Sequence, residues 1–210
     1  MNEWGVTILL VDTRLTWPIA FILILSCIFP VIEAFNLLSN VEISVRSIEN
    51  IQAVLLLSFA IFTFAFMRPF QLKAGQKQFW LWAVCWWLLL FGRSTSWGRD
   101  YFPEVPKGFF RAISVVLIGS VLFPLMNGAL RSEIAHKFKT ASISVWGIVL
   151  AVSGLIISDS IEHDRVISAF FLHDQSHKNF VEEIFEFPLI FGLFIVAYGL
   201  MVQDKTNSSQ

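Results

Sequence analysis

The chain has 210 residues, of which 56% are hydrophobic and 15% are charged. A mean hydropathy of +0.68 is too high for a soluble domain of this size, so we expect most of the chain to contact lipid. The formal net charge of −1 provides no basic excess for a polyanion, which argues against nucleic acid as a partner.

Six apolar stretches follow one another along the chain. A transmembrane helix needs about 20 mostly apolar residues, and this criterion predicts spans near residues 17–39, 51–70, 79–97, 110–130, 142–161 and 183–203. The third stretch reaches full length only by including Arg93 and the polar residues after it, so a tilted or re-entrant segment is an alternative there. The loops are short and polar. We therefore expect a single integral membrane domain over residues 1–210: an all-α, polytopic, compact bundle of about six transmembrane helices surrounded by membrane lipids.

The orientation of the spans is predicted from the basic residues in the loops. Six crossings place both termini on one side, and positively charged loops favour the cytoplasm. The count is nearly balanced, with eight basic residues on the side of the termini and seven on the other. If Arg93 belongs to a buried site, the balance favours cytoplasmic termini, which is the orientation we expect. Association into a homo-oligomer or with a partner subunit stays open.

Charged residues gather at one predicted face of the membrane, because odd spans end and even spans begin there. The candidate site residues at this face are Glu33, Arg93, Trp97, Arg99, Asp159, His163, Glu183 and Glu186. A charged side chain at mid-bilayer costs about 2.5 to 3.5 kcal/mol on insertion scales, so such residues usually face the bundle interior and find partners. The pattern predicts a one-sided polar pocket near the outer face, in which Arg93 pairs with Glu33 or Glu186. The alternative is that these charges ring the interface and reach water.

Helical spacing within this cluster raises the hypothesis of a metal site. Asp159 and His163 are four residues apart, as are Glu182 and Glu186, so each pair shares one helical face. Asp159, His163 and Glu186 could together bind a divalent metal or act as catalytic acid and base groups. The competing interpretation is that a histidine near a helix end is solvated or hydrogen-bonded.

Two further patterns lead to structural interpretations. Glu133 and His136 have the Glu-x-x-His spacing of di-iron bundles, but only one copy is present. We therefore interpret this segment, with Lys137 and Lys139, as a lysine-rich cytoplasmic cap. Glycines within the last two spans are predicted to serve helix packing. They are Gly147, Gly154, Gly192 and Gly199.

The segment from Gly92 to Pro103 combines glycines, small hydroxyl residues and arginines. It resembles a Gly-(Arg/Glu)-x-x-Ser-Trp-Gly-(Arg/Gln) segment of uncharacterised multi-pass bacterial inner-membrane proteins, over a short stretch that includes Arg93, Trp97 and Arg99. The resemblance implies a bacterial inner-membrane location and a common site around these three residues, and it brings no known activity with it. Here the first variable position is Arg93 rather than an acid.

Three classes of function are consistent with these patterns. The first is an enzyme or binding protein for a lipid or anionic head group, with Arg93, Trp97, Arg99, Glu33 and Glu183 holding the substrate and a metal-assisted acid and base group beside it. The second is a proton- or cation-coupled transporter of a small solute. The third is a noncatalytic membrane subunit. Because the inner halves of the spans hold few ionisable residues, the sequence favours a pocket that opens to one face.

Overall fold

The computed structural model describes residues 10–35 and 45–208, and it is 83% helical. Seven α-helices account for most of it: α1 Trp17–Ala34, α2 Val45–Met67, α3 Ala74–Ser94, α4 Lys107–Leu122, α5 Gly128–Thr140, α6 Val145–Glu162 and α7 Lys178–Ser208. Two short strands, β1 Val11–Asp12 and β2 Ile143–Ser144, form a two-stranded sheet. The predicted all-α class is confirmed.

Each predicted span overlaps a helix, but the chain contains one helix that the sequence did not predict. The predicted span 110–130 is divided where Pro124 lies in a 3-10 helix, Phe123–Met126. Asn127 then begins α5, because its side chain accepts a hydrogen bond from the Ala129 N–H at 2.9 Å. Apolar α4 is therefore followed at once by a largely polar helix.

Four segments of the described chain are long and apolar enough to cross a membrane. They are Val45–Gln71, Lys107–Met126, Val145–Glu162 and Gln175–Asn207. The first helix is apolar but shorter over Trp17–Ile32. Within the described residues, α3 is not among the four; its first turn is polar and its last turn contains Arg93 and Ser94.

The chain divides into two compact units. Of the described residues, unit 1 contains 10–12, 53–143 and 198–208, and unit 2 contains 13–35, 45–52 and 144–197. Unit 1 holds α3, α4 and α5, and unit 2 holds α1 and nearly all of α6. Helices α2 and α7 each contribute residues to both units.

The core of unit 1 is built around α3, which packs on α4 and α5. Trp80 is almost fully buried, and its ring lies edge-on to Phe79 at a centroid distance of 5.1 Å. The indole N–H of Trp82 donates to the Val121 carbonyl of α4 at 2.9 Å. The aromatic residues of α3 thus supply both apolar contact and a polar contact to a neighbouring helix.

The core of unit 2 depends on close approach between α6 and α7. A Cβ atom on Gly154 would lie 2.5 Å from the Leu189 nitrogen, and one on Gly192 would lie 2.5 Å from the Ala151 nitrogen. Only glycine fits at these two positions, because any side chain would overlap the backbone of the facing helix. The predicted packing role is confirmed for Gly154, Gly192 and the closely packed Gly147, whereas it is wrong for Gly199, since no atom of the described residues lies within 4 Å of a Cβ built there.

Replacing Gly154 with alanine is expected to destabilise the protein. The added methyl group overlaps α7, and overpacking of this kind costs about 1 to 3 kcal/mol. We expect a lower melting temperature of the detergent-purified variant, followed by circular dichroism. The matched control is Gly199→Ala, which should leave the melting temperature unchanged or raise it, since alanine favours a helix by up to about 1 kcal/mol. Equal melting temperatures for Gly154→Ala and the unmodified protein would contradict the packing described here.

Candidate functional site

The predicted site residues are distributed over both units. Unit 2 contains Asp159, His163, Glu183 and Glu186, and unit 1 contains Arg93, Trp97 and Arg99. Glu33 falls within α1, but its side chain lies outside the described part of the structure. The pairing of Arg93 with Glu33 or Glu186 therefore stays a prediction.

The carboxyl end of α6 carries a group of potential metal ligands. Ligand atoms of Asp159, Glu162 and His163 lie within 4.8 Å of one another. His163 caps the helix one turn after Asp159, and its Nδ1 atom lies 3.4 Å from Asp159 Oδ1. Glu186 does not belong to this group. All three side chains are substantially exposed, which is common for acidic groups without a metal.

Arg165 modifies the chemistry of this group. Its Nη1 atom lies 2.7 Å from Asp159 Oδ2, and the chain turns back toward α6 because the Arg165 N–H donates to the Ser160 carbonyl at 2.8 Å. The guanidinium neutralises the Asp159 carboxylate, so a metal ion at this group would share that ligand with a cation. Metal-assisted chemistry by Asp159, His163 and Glu186 stays a prediction.

Local polar contacts stabilise the connection between α6 and α7. Lys178, the first residue of α7, places its Nζ atom 2.5 Å from Asp164 Oδ2. The backbone N–H of Ser176 donates to Asp174 at 2.8 Å and lowers the pKa of that exposed carboxyl. Asp174 is therefore ionised at neutral pH. These contacts position the amino-terminal turns of α7, which carry Glu182, Glu183 and Glu186.

Four glutamates from α2 and α7 form what we call the acidic group: Glu49, Glu182, Glu183 and Glu186. Glu183 interacts electrostatically with each of the other three. Like charges held close together repel one another, and the repulsion is stronger where the surroundings exclude water. Glu183 is partly buried, so the repulsion from its three neighbours is stronger than it would be in water.

Gln52 lies beside the acidic group, one helical turn after Glu49. Its side chain is fully buried, with 0% exposure. The Nε2 atom donates to the Glu183 carbonyl at 2.8 Å, and the amide also contacts the Glu183 side chain. Its Oε1 atom is buried and has no hydrogen-bond partner among the described residues. A buried acceptor without a donor costs about 1 to 3 kcal/mol.

The two units carry opposite charge. Counted over the sequence, residues 13–52 and 144–197 contain ten Asp and Glu against four Lys and Arg, a net charge of −6. The remaining residues contain six acids and eleven bases, a net charge of +5. The net charge of the whole chain is therefore close to zero although unit 2 is acidic and unit 1 is basic.

The motif segment of unit 1 has a structural explanation. A Cβ atom on Gly92 would lie 2.9 Å from the Trp97 ring and 2.8 Å from Leu117 Cδ1, so glycine is needed for the indole to pack on α3. Ser96, Trp97 and Gly98 have φ values of 47°, 61° and 92°, a left-handed run that folds the indole back. Arg99 is exposed and interacts with Asp100 at 3.5 Å. The glycines and the tryptophan of the motif thus shape the turn that presents Arg99.

A buried ion pair in unit 1 was missed by the sequence analysis. Lys137 of α5 is only 6% exposed, and its Nζ atom lies 2.5 Å from Asp204 Oδ2 and 3.5 Å from Glu133 Oε1. The Trp80 indole N–H donates to the same Asp204 oxygen at 2.7 Å, and the ammonium lies 4.8 Å from the Phe79 ring centroid. Lys137 of the predicted lysine-rich cap is thus enclosed by two carboxylates and two aromatic rings, and the cytoplasmic location of the cap stays a prediction.

No protein-family model, curated protein or solved structure matches this chain. The charges and contacts described above are therefore the observations from which its function can be proposed.

Replacing Lys137 with methionine is expected to destabilise unit 1 strongly. Removing one partner of a buried ion pair leaves an uncompensated charge and costs about 3 to 5 kcal/mol. Unfolding of the purified variant in denaturant should show this loss, and Lys137→Met/Asp204→Leu should recover part of it. Lys139→Met, at an exposed position of the same helix, is the control and should unfold like the unmodified protein. A normal free energy of unfolding for Lys137→Met would contradict the buried pair.

Replacing Arg165 with glutamine is expected to strengthen binding of zinc by Asp159, Glu162 and His163. An exposed ion pair is worth at most about 1 kcal/mol, so releasing Asp159 should increase the affinity up to about fivefold. Isothermal titration calorimetry on the detergent-purified protein measures the change. The double variant Arg165→Gln/His163→Ala should lose the gain. Equal zinc affinity with and without Arg165 would show that the guanidinium does not compete for Asp159.

Proposed function

We propose that the chain is a multi-pass integral membrane protein of about six spans and that the acidic group of unit 2 is the ion site of a proton- or cation-coupled carrier. The bacterial inner membrane and cytoplasmic termini belong to this proposal through the motif resemblance and the loop charges. The single observation that carries the functional part is the interaction of Glu183 with three further glutamates, next to the buried Gln52 amide, whose Oε1 atom has no hydrogen-bond partner among the described residues.

Insertion into lipid is supported by the apolar side chains that the structure leaves exposed. On α1 and α4 they include Phe21, Ile24, Leu25, Val31, Val115, Val116 and Leu122, each at least half exposed. Such surfaces are stable in a hydrocarbon layer about 30 Å thick. The 18 residues of α1 extend about 27 Å and the 21 residues of α3 about 32 Å at 1.5 Å per residue. Both helices fall within the range of about 17 to 25 residues for a spanning helix. Together with the four spanning segments they give six spans.

A cationic ligand is supported by the ligand chemistry of unit 2. Carboxylate and amide oxygens are hard acceptors that bind protons and hard metal ions. The excess of ten acids over four bases repels an anionic head group from the same place. Intramembrane carboxylates commonly serve ion or proton pathways, because holding them there is costly without such a role.

A second candidate function is binding of an anionic head group in unit 1. It is favoured by the net charge of +5 over that unit and by the turn around Trp97 that presents Arg99. Arginine suits phosphate through bidentate hydrogen bonds. Binding to vesicles or nanodiscs of anionic lipid that is lost in Arg93→Gln/Arg99→Gln, without cation flux, would favour this function.

Cation flux in proteoliposomes tests the carrier. With an imposed pH gradient or membrane potential, the unmodified protein should move protons or cations faster than protein-free vesicles. Glu183→Gln should reduce the rate at least about tenfold, because glutamine lacks the carboxylate charge with which the carrier binds and releases the ion. Glu104→Gln, an exposed acid in a loop of unit 1, is the matched control and should retain the rate. Flux at the protein-free level under both gradients would contradict the carrier.

A further inference from the structure

The positive charge of unit 1 is concentrated in three segments of the chain. Residues 68–79, 127–143 and 198–210 contain seven Lys and Arg against two Asp and Glu, a net charge of +5. The rest of unit 1 contains four bases and four acids, so its charges cancel. The whole charge excess of the unit therefore belongs to these three segments. Their bases are Arg68, Lys73, Lys77, Arg131, Lys137, Lys139 and Lys205.

Side-chain contacts bring the three segments together in space. Lys137 of α5 pairs with Asp204 of α7, and its ammonium lies 4.8 Å from the ring centroid of Phe79 in α3. A Cβ atom on Gly75, in the first turn of α3, would lie 3.1 Å from Glu133 Oε2 of α5. Helix α5 therefore lies against the first turns of α3 and the last turns of α7, at one end of unit 1.

The exposed side chains change from apolar to mostly polar at this end. Leu122, Phe123 and Met126, where the spanning segment Lys107–Met126 ends, are each at least 58% exposed. Over the whole of α5, which the structure describes throughout, Phe138 is the one large apolar side chain that is exposed. The 20 residues of the spanning segment extend about 30 Å at 1.5 Å per residue, the thickness of the hydrocarbon layer. Helix α5 therefore begins where this span reaches the lipid head groups.

Helix α5 presents a basic and aromatic face to its surroundings. Arg131, Phe138 and Lys139 are exposed, and positions seven residues apart, such as Arg131 and Phe138, share one helical face. Glu133, the one acid of this helix, pairs with the buried Lys137 at 3.5 Å and so belongs to the interior. Exposed cations beside an aromatic side chain are typical of helices that lie in the membrane interface.

The turn between α2 and α3 adds to this surface. Arg68 and Lys73 are exposed, and Phe70 between them is 68% exposed. The turn leads directly into the first turn of α3, beside α5. Within the described part of the chain, none of the four exposed cations of the turn and of α5 forms an ion pair. We call this surface the basic face, and its residues are Arg68, Phe70, Lys73, Arg131, Phe138 and Lys139.

We infer that the basic face binds the head groups of anionic phospholipids in the leaflet on its side of the membrane. Each Lys or Arg near an anionic bilayer surface strengthens the association about fivefold, and arginine also binds phosphate through paired hydrogen bonds. The inference uses the membrane insertion proposed above and does not use the carrier function. Because the carboxyl end of α7 lies at this end of unit 1, the leaflet is the cytoplasmic one in the proposed orientation.

The basic face is distinct from the turn that presents Arg99. That turn follows the last residue of α3, whereas the basic face lies at its first residues. The 21 residues of α3 separate the two places by about 32 Å at 1.5 Å per residue. Substitutions at the two ends of this helix therefore test different sites.

A local measurement of lipid composition tests the inference. A fluorophore is attached at Ser132→Cys, an exposed position of α5, in the background Cys27→Ala/Cys85→Ala. In nanodiscs of phosphatidylglycerol and phosphatidylcholine, quenching by a brominated form of each lipid gives the ratio of their association beside α5. We expect phosphatidylglycerol to be enriched at least about fivefold, the effect of a single cation. Arg131→Gln/Lys139→Gln should lower the ratio toward equal association of the two lipids.

Two further variants serve as the control and as a second test. Lys107→Gln/Arg111→Gln removes the same two charges from exposed positions at the start of α4 and should keep the enrichment. Arg68→Gln/Lys73→Gln changes the basic face outside α5 and should lower the ratio. It replaces Arg131→Gln/Lys139→Gln as the test if that variant has a reduced melting temperature.

The outcomes separate the basic face from the functions proposed above. Equal association of the two lipids with the unmodified protein, or enrichment that persists in a folded variant of the basic face, would overturn the inference. Absence of quenching by both lipids would contradict the membrane insertion as well. Enrichment without cation flux would retain the basic face and reject the carrier, whereas flux without enrichment would retain the carrier and reject the basic face.

Discussion

The contact between Gln52 and Glu183 is the interaction on which the functional account depends. A fully buried amide joins α2 to α7 in unit 2 through the Glu183 main chain, and this fixes the helices whose carboxylates make up the acidic group. The amide oxygen has no hydrogen-bond partner among the described residues. In the proposed carrier, an ion bound at the acidic group would also stabilise the fold, because a ligand that binds the folded state does so.

The buried polar groups of the two units differ in their partners. In unit 1, Lys137 is enclosed together with its counter-charge Asp204, the Trp80 indole and an aromatic ring, so its charge is compensated within the protein. In unit 2, three glutamates act on Glu183, whose main-chain carbonyl accepts a hydrogen bond from the buried Gln52 amide. A fully satisfied polar network rigidifies a core, whereas a partly satisfied one marks a place where a ligand or proton contributes. This difference is why we assign the ion site to unit 2 and a structural role to the Lys137 network.

Apolar runs were sufficient to predict the helices, because length and hydropathy determine where a helix can contact lipid. Helix α5 was not predicted because its polar sequence continues directly from an apolar span. Its start is marked only by the break at Pro124 and the cap by Asn127. The close packing at Gly154 and Gly192 could be predicted from the small size of glycine. The absence of such packing at Gly199 could not, because one sequence does not show which helix faces a given residue.

The candidate site was predictable only in part. Acidic residues near helix ends indicated a polar face, and Asp159 and His163 do lie together. The roles of Gln52 and Lys137 were not foreseen, since a lone glutamine at the start of a span and a lysine beside other lysines have no periodic signal. Their partners Glu183 and Asp204 are 131 and 67 residues away in the sequence. One signal for Gln52 was present, however: it lies one turn after Glu49 and directly before the apolar part of α2.

A double-mutant cycle between Gln52 and Glu183 is the most direct measurement of the central claim. The free energy of unfolding in detergent is measured for Gln52→Leu, Glu183→Ala, the double variant and the unmodified protein. We predict a coupling energy of about 0.5 to 3 kcal/mol, the range for side chains in contact. Additive effects of the two substitutions would contradict a contact between the Gln52 amide and the Glu183 side chain.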